Sequence, residues 1–231
     1  MTDEEREAAL IWSWMANADA WTRAVREGRI ESRRVATDDA IVRAVVERGP
    51  RRVLDLGCGE GWLMRALARR GIETVGLDVS MELVVVAEET GGGRFRCCSY
   101  DEVVDDPTRA GGPYDAIACN FSLLHADLVP LLAALRHNLD AGGALVVQTV
   151  HPWTALAGEG YADGWRTETF DAFGGDFAEP MPWYYRTLES WMSALRGAGY
   201  RLAGLREPTH PGTGAPLSLL MVAEPDPNPG S

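Results

Sequence analysis

The chain predicts an α/β fold in which a mostly parallel sheet is covered by helices. Three observations lead there. Short β-rich runs recur from residue 51 onward ("RVLDL", "TVGLDV", "YDAIACNF", "GALVVQTV"), helical patterns separate them, and a glycine-rich turn joins the first run to the first helix. Strand, helix and strand in succession imply parallel strands joined by right-handed crossovers. With 231 residues, 46% of them hydrophobic, the chain can bury one sizeable core but not comfortably two, so 1–231 is read as a single domain.

Residues 1–50 precede the alternation and read as a helical cap. "IWSWMANADAWTRAV" sets Trp14 and Trp21 seven apart with Ala18 between them, a stripe that either packs on the sheet or lines a ligand cavity. Thr37 is the expected cap of a helix that starts at Asp38 and buries Ile41, Val42 and Val45. Arg29, Arg33 and Arg34 form a small basic group that faces solvent or meets an acidic ligand.

The first strand "RVLDL" runs into Gly57, Gly59 and Gly61, and the helix over 62–70 follows. "TVGLDV" is the second strand and ends at Asp78; "GRFRCCS" is a weaker third, and 114–121 a strong fourth. The helical pattern "LVPLLAALRHNL" leads to the fifth strand, "GALVVQTV". Residues 151–185 hold neither period for long and are dense in aromatics, glycines and prolines. Long ordered loops often cover a site, which makes this segment the candidate substrate lid. "TLESWMSALRGAGY" has Thr187 at a cap position, with Ser190 where a capping box carries Glu, and a buried face of Leu188, Trp191, Met192 and Leu195. "GYRLAGLRE" and "PLSLLMVAE", joined by "PTHPGTGA", read as an antiparallel pair at the sheet edge, and the tail "PDPNPGS" should fray.

Composition excludes several classes. Acidic side chains outnumber basic ones 34 to 22, and a net charge of −12 repels a phosphate backbone, so nucleic acid is a disfavoured partner. The start "MTDEEREAALIW" carries acids where a secretory signal carries bases, and no apolar run is long enough to cross a bilayer; a cytoplasmic monomer or homodimer is expected. Cys58, Cys97, Cys98 and Cys119 show no CxxC spacing, so neither a metal site nor a disulfide scaffold is indicated, and all four read as buried thiols.

The glycine turn sits where backbone N–H groups at a helix start can approach a ligand closely. A dinucleotide fingerprint, GxGxxG, would need glycine where Trp62 stands; the pattern present is Asp55-x-Gly57-x-Gly59-x-Gly61. Asp78, ending the second strand, is placed to accept both hydroxyls of a ribose. That acid alone also fits a nicotinamide enzyme, and the glycine spacing separates the two.

These residues resemble the class I S-adenosylmethionine-dependent methyltransferases over about 51–224: "LDLGCGEG", then "VGLDVS", "YDAIACNFSLLH" and "LDAGGALVV" in order. The resemblance implies a Rossmann-like methyltransferase fold, a seven-stranded sheet with an antiparallel edge strand and helices on both faces. It also implies S-adenosyl-L-methionine as cofactor, lying across the carboxyl ends of the strands. Carried over residue by residue, Asp55 orders the turn and faces the methionine ammonium, Gly57 and Gly59 lie against the methionyl part, and Gly61 is close behind. Asp78 is the ribose acid, with Val79 and Met81 bordering the adenine. The family often has an aspartate after strand three; here Ser99 takes that place, with Tyr100 beside it and Asp101 as a shifted substitute. Asn120 and Phe121 flank the sulfonium side.

Methyl transfer from a sulfonium is an in-line displacement, which alignment and exclusion of water can largely drive. A base is needed only for a poorly ionised acceptor, and His125 and His151, each following a strand, are the two candidates. His137 reads as a helix-terminal residue and His210 as an exposed turn residue. Trp153, Tyr161, Trp165, Trp183, Tyr184 and Tyr185 of the lid could stack on a planar ring, as could Trp14 and Trp21. The expected acceptor is therefore a small aromatic or heteroaromatic metabolite, methylated on oxygen or nitrogen. A tRNA or protein methyltransferase, and a cofactor-binding module without activity, are the alternatives.

Overall fold

The structure, a computed structural model, describes residues 1–156, 158–174 and 176–228. Residues 157 and 175 of the lid segment and 229–231 of the tail lie outside the described residues. Helices α1 (Asp3–Ala16) and α2 (Ala18–Arg26) open the chain, α1 beginning in a capping box of Thr2 and Glu5. A π-helical turn, Arg33–Thr37, then runs directly into α3 (Asp38–Val46). Thr37 is therefore not the cap expected of it. Its backbone is already helical, and its hydroxyl is buried without a partner because the helix begins upstream.

Strands and helices then alternate as β1 (Arg52–Leu56), α4 (Trp62–Ala68), β2 (Glu73–Asp78), α5 (Met81–Thr90), β3 (Arg94–Cys97), α6 (Tyr100–Asp105), β4 (Tyr114–Asn120), α7 (Val129–Leu135) and β5 (Leu139–Val150). A hairpin of β6 (Gly164–Glu168) and β7 (Met181–Tyr185) leads to α8 (Leu188–Gly197), β8 (Tyr200–Arg206) and β9 (Ser218–Pro225). Seven strands form one sheet in the order β3-β2-β1-β4-β5-β9-β8. The β1 to β5 strands pair in parallel, and β9 runs antiparallel to both β5 and β8, which gives the edge pair the sequence predicts.

Alternation along β1 feeds two cores. Leu54 and Leu56 join Ile117, Leu145 and Trp191 on one face, while Val53 joins Ala116, Val146, Ile41 and Leu67 on the other. Chain order reverses between β1 and β4, so a crevice opens at their carboxyl ends, where ligands bind in open α/β sheets.

The lid differs from the irregular loop expected of it. Residues 164–168 and 181–185 pair antiparallel in a second sheet, with Trp165 opposite Tyr184. Strands of five residues, one holding Pro182, are too short for an alternation to stand out. Cys97 is a second difference: it is exposed, because β3 ends the sheet and its last residue faces outward, while the other three thiols are buried. Among the described residues no helix is long and apolar enough to cross a membrane.

Candidate active site

The turn after β1 is built by three glycines with positive φ, each for a different reason. Gly57 and Cys58 donate backbone N–H bonds to the Leu77 carbonyl, which ties the turn to the end of β2. A Cβ on Gly57 would lie 2.4 Å from Ser122 Cβ, and one on Gly61 2.9 Å from the Phe95 ring. At Gly59 the space is open. Gly57 and Gly59 line a cavity of about 280 Å³; Gly61 does not, and serves as the N-cap that lets α4 pack on Phe95.

Asp78 also lines this cavity. Its Oδ2 accepts from Gly59 N at 2.8 Å and its Oδ1 from Ser80 N at 2.9 Å, so both oxygens are fixed. Burial raises its carboxyl above the ordinary range, while the N–H groups of Ser80, Gly59 and Val79 pull it back. Asp55 lies beneath the turn, 2% exposed and outside the cavity lining. Burial, with the charge of Asp78 beside it, pushes the Asp55 carboxyl up to about 7 against the pull of Arg33.

Arg33 is the cation whose role the sequence left undecided. It lines the cavity from the π-helical turn, its Nε bonds Asp38 at 2.9 Å, and its guanidinium sits 4.5 Å over the Trp62 ring. Its Nη2 is buried without a hydrogen-bond partner. A π-turn often marks a functional position, but it leaves no signature in composition.

Val79, Ser99, Tyr100, Asp101, Asn120 and Phe121 all line the cavity. Ser99 is also structural, since its Oγ accepts from Glu102 N as the cap of α6. Asn120 Oδ1 accepts from Gln148 Nε2 at 2.8 Å, which leaves its NH₂ available. Phe121 adopts φ 55°, a strained value for a bulky residue, at the point where the chain leaves β4. Met81 does not line the cavity; as the first residue of α5 it is 53% exposed.

The far wall is aromatic. Trp14 stacks on Trp21 at 5.1 Å, and Phe170 and Phe177 meet the Trp21 ring edge to face, each at 5.6 Å. Trp183, Phe173, Leu10, Leu124 and Met181 complete the cluster. The two tryptophans come from different helices, because the chain breaks at Asn17, whose buried side chain grips the lid. Its Oδ1 accepts from Ala178 N and its Nδ2 donates to the Glu179 carbonyl, both at 2.7 Å. Phe170 and Phe173, which line the cavity, and Phe177, packed against them, were not singled out in the sequence; only the aromatic density of residues 151–185 pointed to them.

Other expected ligand contacts lie elsewhere. Trp153 is 67% exposed and packs near Tyr161; Tyr185 is buried, donating its hydroxyl to the Pro152 carbonyl under the Arg166 guanidinium. Tyr184 and Trp165 meet each other edge to face, and Trp165 Nε1 donates to Asp3. None of these rings lines the cavity. Alternation turns Tyr184 to the face opposite Trp183, while Tyr185, on the same face as Trp183 and 6.1 Å from it, is held outside the cavity by the Pro152 carbonyl and Arg166.

The two histidines also separate. His151 is 8% exposed and away from the cavity; Nε2 pairs with Glu207 at 2.8 Å and Nδ1 accepts from Trp153 N. Both ring nitrogens of this second base candidate are engaged, so in this arrangement it fastens the end of β5. His125 lines the cavity, its ring 5.1 Å from that of Tyr100. Its Nδ1 is buried without a partner, which leaves Nε2 as the nitrogen that can meet a ligand. Burial chiefly lowers its pKa, with Arg186 adding to the effect and Glu7 and Asp101 opposing it, so the ring is neutral near pH 7.

Fold and site define a doubly wound α/β domain with a glycine turn and a buried acid at its switch point and an aromatic chamber next to them. The chain belongs to the family described as "Methyltransferase domain", whose model matches residues 29–203. It is 38% identical over 103 residues to a ubiquinone biosynthesis O-methyltransferase of Xylella fastidiosa, a match covering 43% of this chain and 42% of that protein. The match thus spans about two-fifths of the curated relative's length. Solved structures share the fold. A 1,6-didemethyltoxoflavin-N1-methyltransferase of Burkholderia thailandensis is 21% identical, covering 98% of this chain and 91% of its own, with a TM-score of 0.66. A magnesium protoporphyrin IX methyltransferase of Synechocystis is 19% identical, covering 85% and 83%, with a TM-score of 0.56.

Proposed function

We propose that the chain transfers the methyl group of S-adenosylmethionine, by in-line displacement, to an oxygen or nitrogen of a small aromatic or heteroaromatic metabolite. The observation that carries this reading is one cavity lined at one end by the glycine turn and Asp78 and at the other by Trp14, Trp21, Phe170 and Trp183. The relatives named above, which act by their names on ring systems, support it.

The residues present suit the cofactor. Gly59 leaves open space where a side chain would intrude, and Asp78 is a buried carboxylate whose oxygens keep lone pairs for hydroxyl donors. Ser99, Asp101 and Val79 would border the adenine, and Asn120 and Phe121 the sulfur. Arg33 Nη2, the buried donor without a partner, would take the carboxylate of the methionyl end, and the Asp55 charge would lie beneath its ammonium. When bound, S-adenosylmethionine supplies an electrophilic methyl group carried on a sulfonium.

The chain's own contribution is alignment, exclusion of water and removal of one proton. The roof of α1, α2 and the hairpin shields the chamber, and its rings hold a planar acceptor by stacking. With an acceptor bound, His125 Nε2 would take the proton that the acceptor oxygen or nitrogen gives up on methylation. This enclosure favours a small acceptor over tRNA or a folded protein surface.

Calorimetry with S-adenosylmethionine, its demethylated product and a nicotinamide dinucleotide tests the first half: one-to-one binding of the first two is expected, and binding of the dinucleotide alone would refute it. Labelled methyl transfer to phenols, heteroaromatic amines, tRNA and protein extracts tests the second. Label found only in tRNA or polypeptide would overturn the small-acceptor reading.

A further inference from the structure

The His125 loop, residues 124–126, is held from two sides by elements that are remote in sequence. From the hairpin, Tyr184 N donates to the Leu124 carbonyl at 2.9 Å. Arg186, the residue after β7, donates from Nη2 to the carbonyls of His125 and Ala126, the latter at 2.8 Å. From α1, Glu7 Oε1 accepts from Ala126 N at 3.1 Å. The backbone of this loop is thus gripped by a cation on one side and an anion on the other, although neither side chain lines the cavity.

Holding the loop with a buried arginine carries a desolvation cost. Arg186 is 4% exposed, its guanidinium lies against the rings of Tyr184 (4.9 Å) and Trp191 (5.3 Å), and no salt bridge compensates it among the described residues. Burial pushes its own pKa down to about 10, and its Nη1 is left without a partner. A neutral amide could satisfy one carbonyl without that desolvation cost. What a neutral group could not supply is a positive charge behind the imidazole.

We propose that Arg186 and Glu7 are positioning residues for the base, fixing the His125 loop between the hairpin and α1 and setting, by their opposite charges, the range in which His125 accepts a proton. The inference rests on the reading of His125 as the base. The groups facing the ring from the elements around it are Tyr100 and Asp101 of α6, Glu7 of α1 and Arg186. Glu7 and Asp101 favour the imidazolium, whereas Arg186 and burial oppose it.

Proton NMR titration of the ring protons in the full chain tests this without an acceptor, with His125 assigned by the resonance missing in His125→Gln. Arg186→Gln should raise the His125 pKa and Glu7→Gln should lower it. Arg186→Lys, which keeps the charge, should stay closer to wild type in pKa than Arg186→Gln. Circular dichroism and binding of S-adenosylmethionine establish that each variant is folded. Shifts in the same direction, or no shift in either folded variant, would overturn the proposal; should Arg186→Gln fail to fold, Glu7→Gln alone decides it. If the opposite shifts appear but His125→Gln retains full turnover of an acceptor found in the screen, the base reading fails while the electrostatic setting of the loop stands.

Discussion

Replacing Asp55 by asparagine should make the ligand-free protein more stable while weakening its hold on S-adenosylmethionine. A carboxyl at about 7 in the folded chain, against an ordinary 3.8, keeps a proton that the unfolded chain has already released. Stability is therefore present at low pH and lost as pH rises from about 4 towards about 7. At roughly 1.4 kcal/mol per pH unit the folded state carries a penalty of ~4 kcal/mol above pH 7, and Asp55→Asn has no such proton to lose. The variant's advantage over wild type should widen by ~2–3 kcal/mol between pH 5 and pH 8, less whatever the new amide loses in hydrogen bonding. Urea unfolding of both proteins without ligand at the two pH values measures this, and comparing them cancels groups that titrate alike in both. A difference that does not change with pH, or a variant less stable at pH 8 than at pH 5 relative to wild type, would refute the account of Asp55 as a strained carboxylate kept for a cation.

Three further outcomes are expected. Asp78→Asn should cost roughly 1.5–3 kcal/mol of cofactor affinity by calorimetry, and an unchanged Kd in a folded variant would place the ribose contact elsewhere. Gly57→Ala should lose about 2–4 kcal/mol of stability through positive-φ strain and the collision with Ser122, whereas Gly59→Ala, open in the ligand-free chain, should lose about 1 kcal/mol in denaturation yet bind cofactor poorly; equal effects on stability would contradict the geometry. His151→Ala should lower the midpoint of thermal unfolding and spare acceptor turnover, while His125→Ala should reduce turnover with little change in cofactor Kd; the reverse pattern would return the base role to His151.

Much of the fold was legible because its signals are local. The parallel strands are apolar runs bounded by turn residues, and β8 and β9 follow from two such runs with no helix between them. The hairpin was not legible, since strands of five residues carrying glycine or proline give no sustained alternation. The Thr37 cap failed for a related reason: a cap residue type marks a helix start only if the preceding backbone is not helical, and residues 33–37 are.

The site divides along the same physical line. The glycine-turn end is formed by a contiguous turn and the ends of neighbouring strands, so order along the chain nearly fixes what meets there, and Gly57, Gly59, Asp78, Tyr100 and Asn120 all reach one cavity. The aromatic end is assembled from α1, α2, the hairpin and the β4 exit, whose relative placement depends on long-range contacts such as Asn17 to the Ala178–Glu179 backbone. An aromatic-rich composition marks the lid as apolar without saying which ring turns inward. Trp183 and Phe170 do; Trp153, Tyr184 and Tyr185 do not. The difference between His125 and His151 is likewise tertiary. Both follow a strand, yet Glu207 and the Trp153 amide occupy one ring, and the other keeps Nε2 for the chamber.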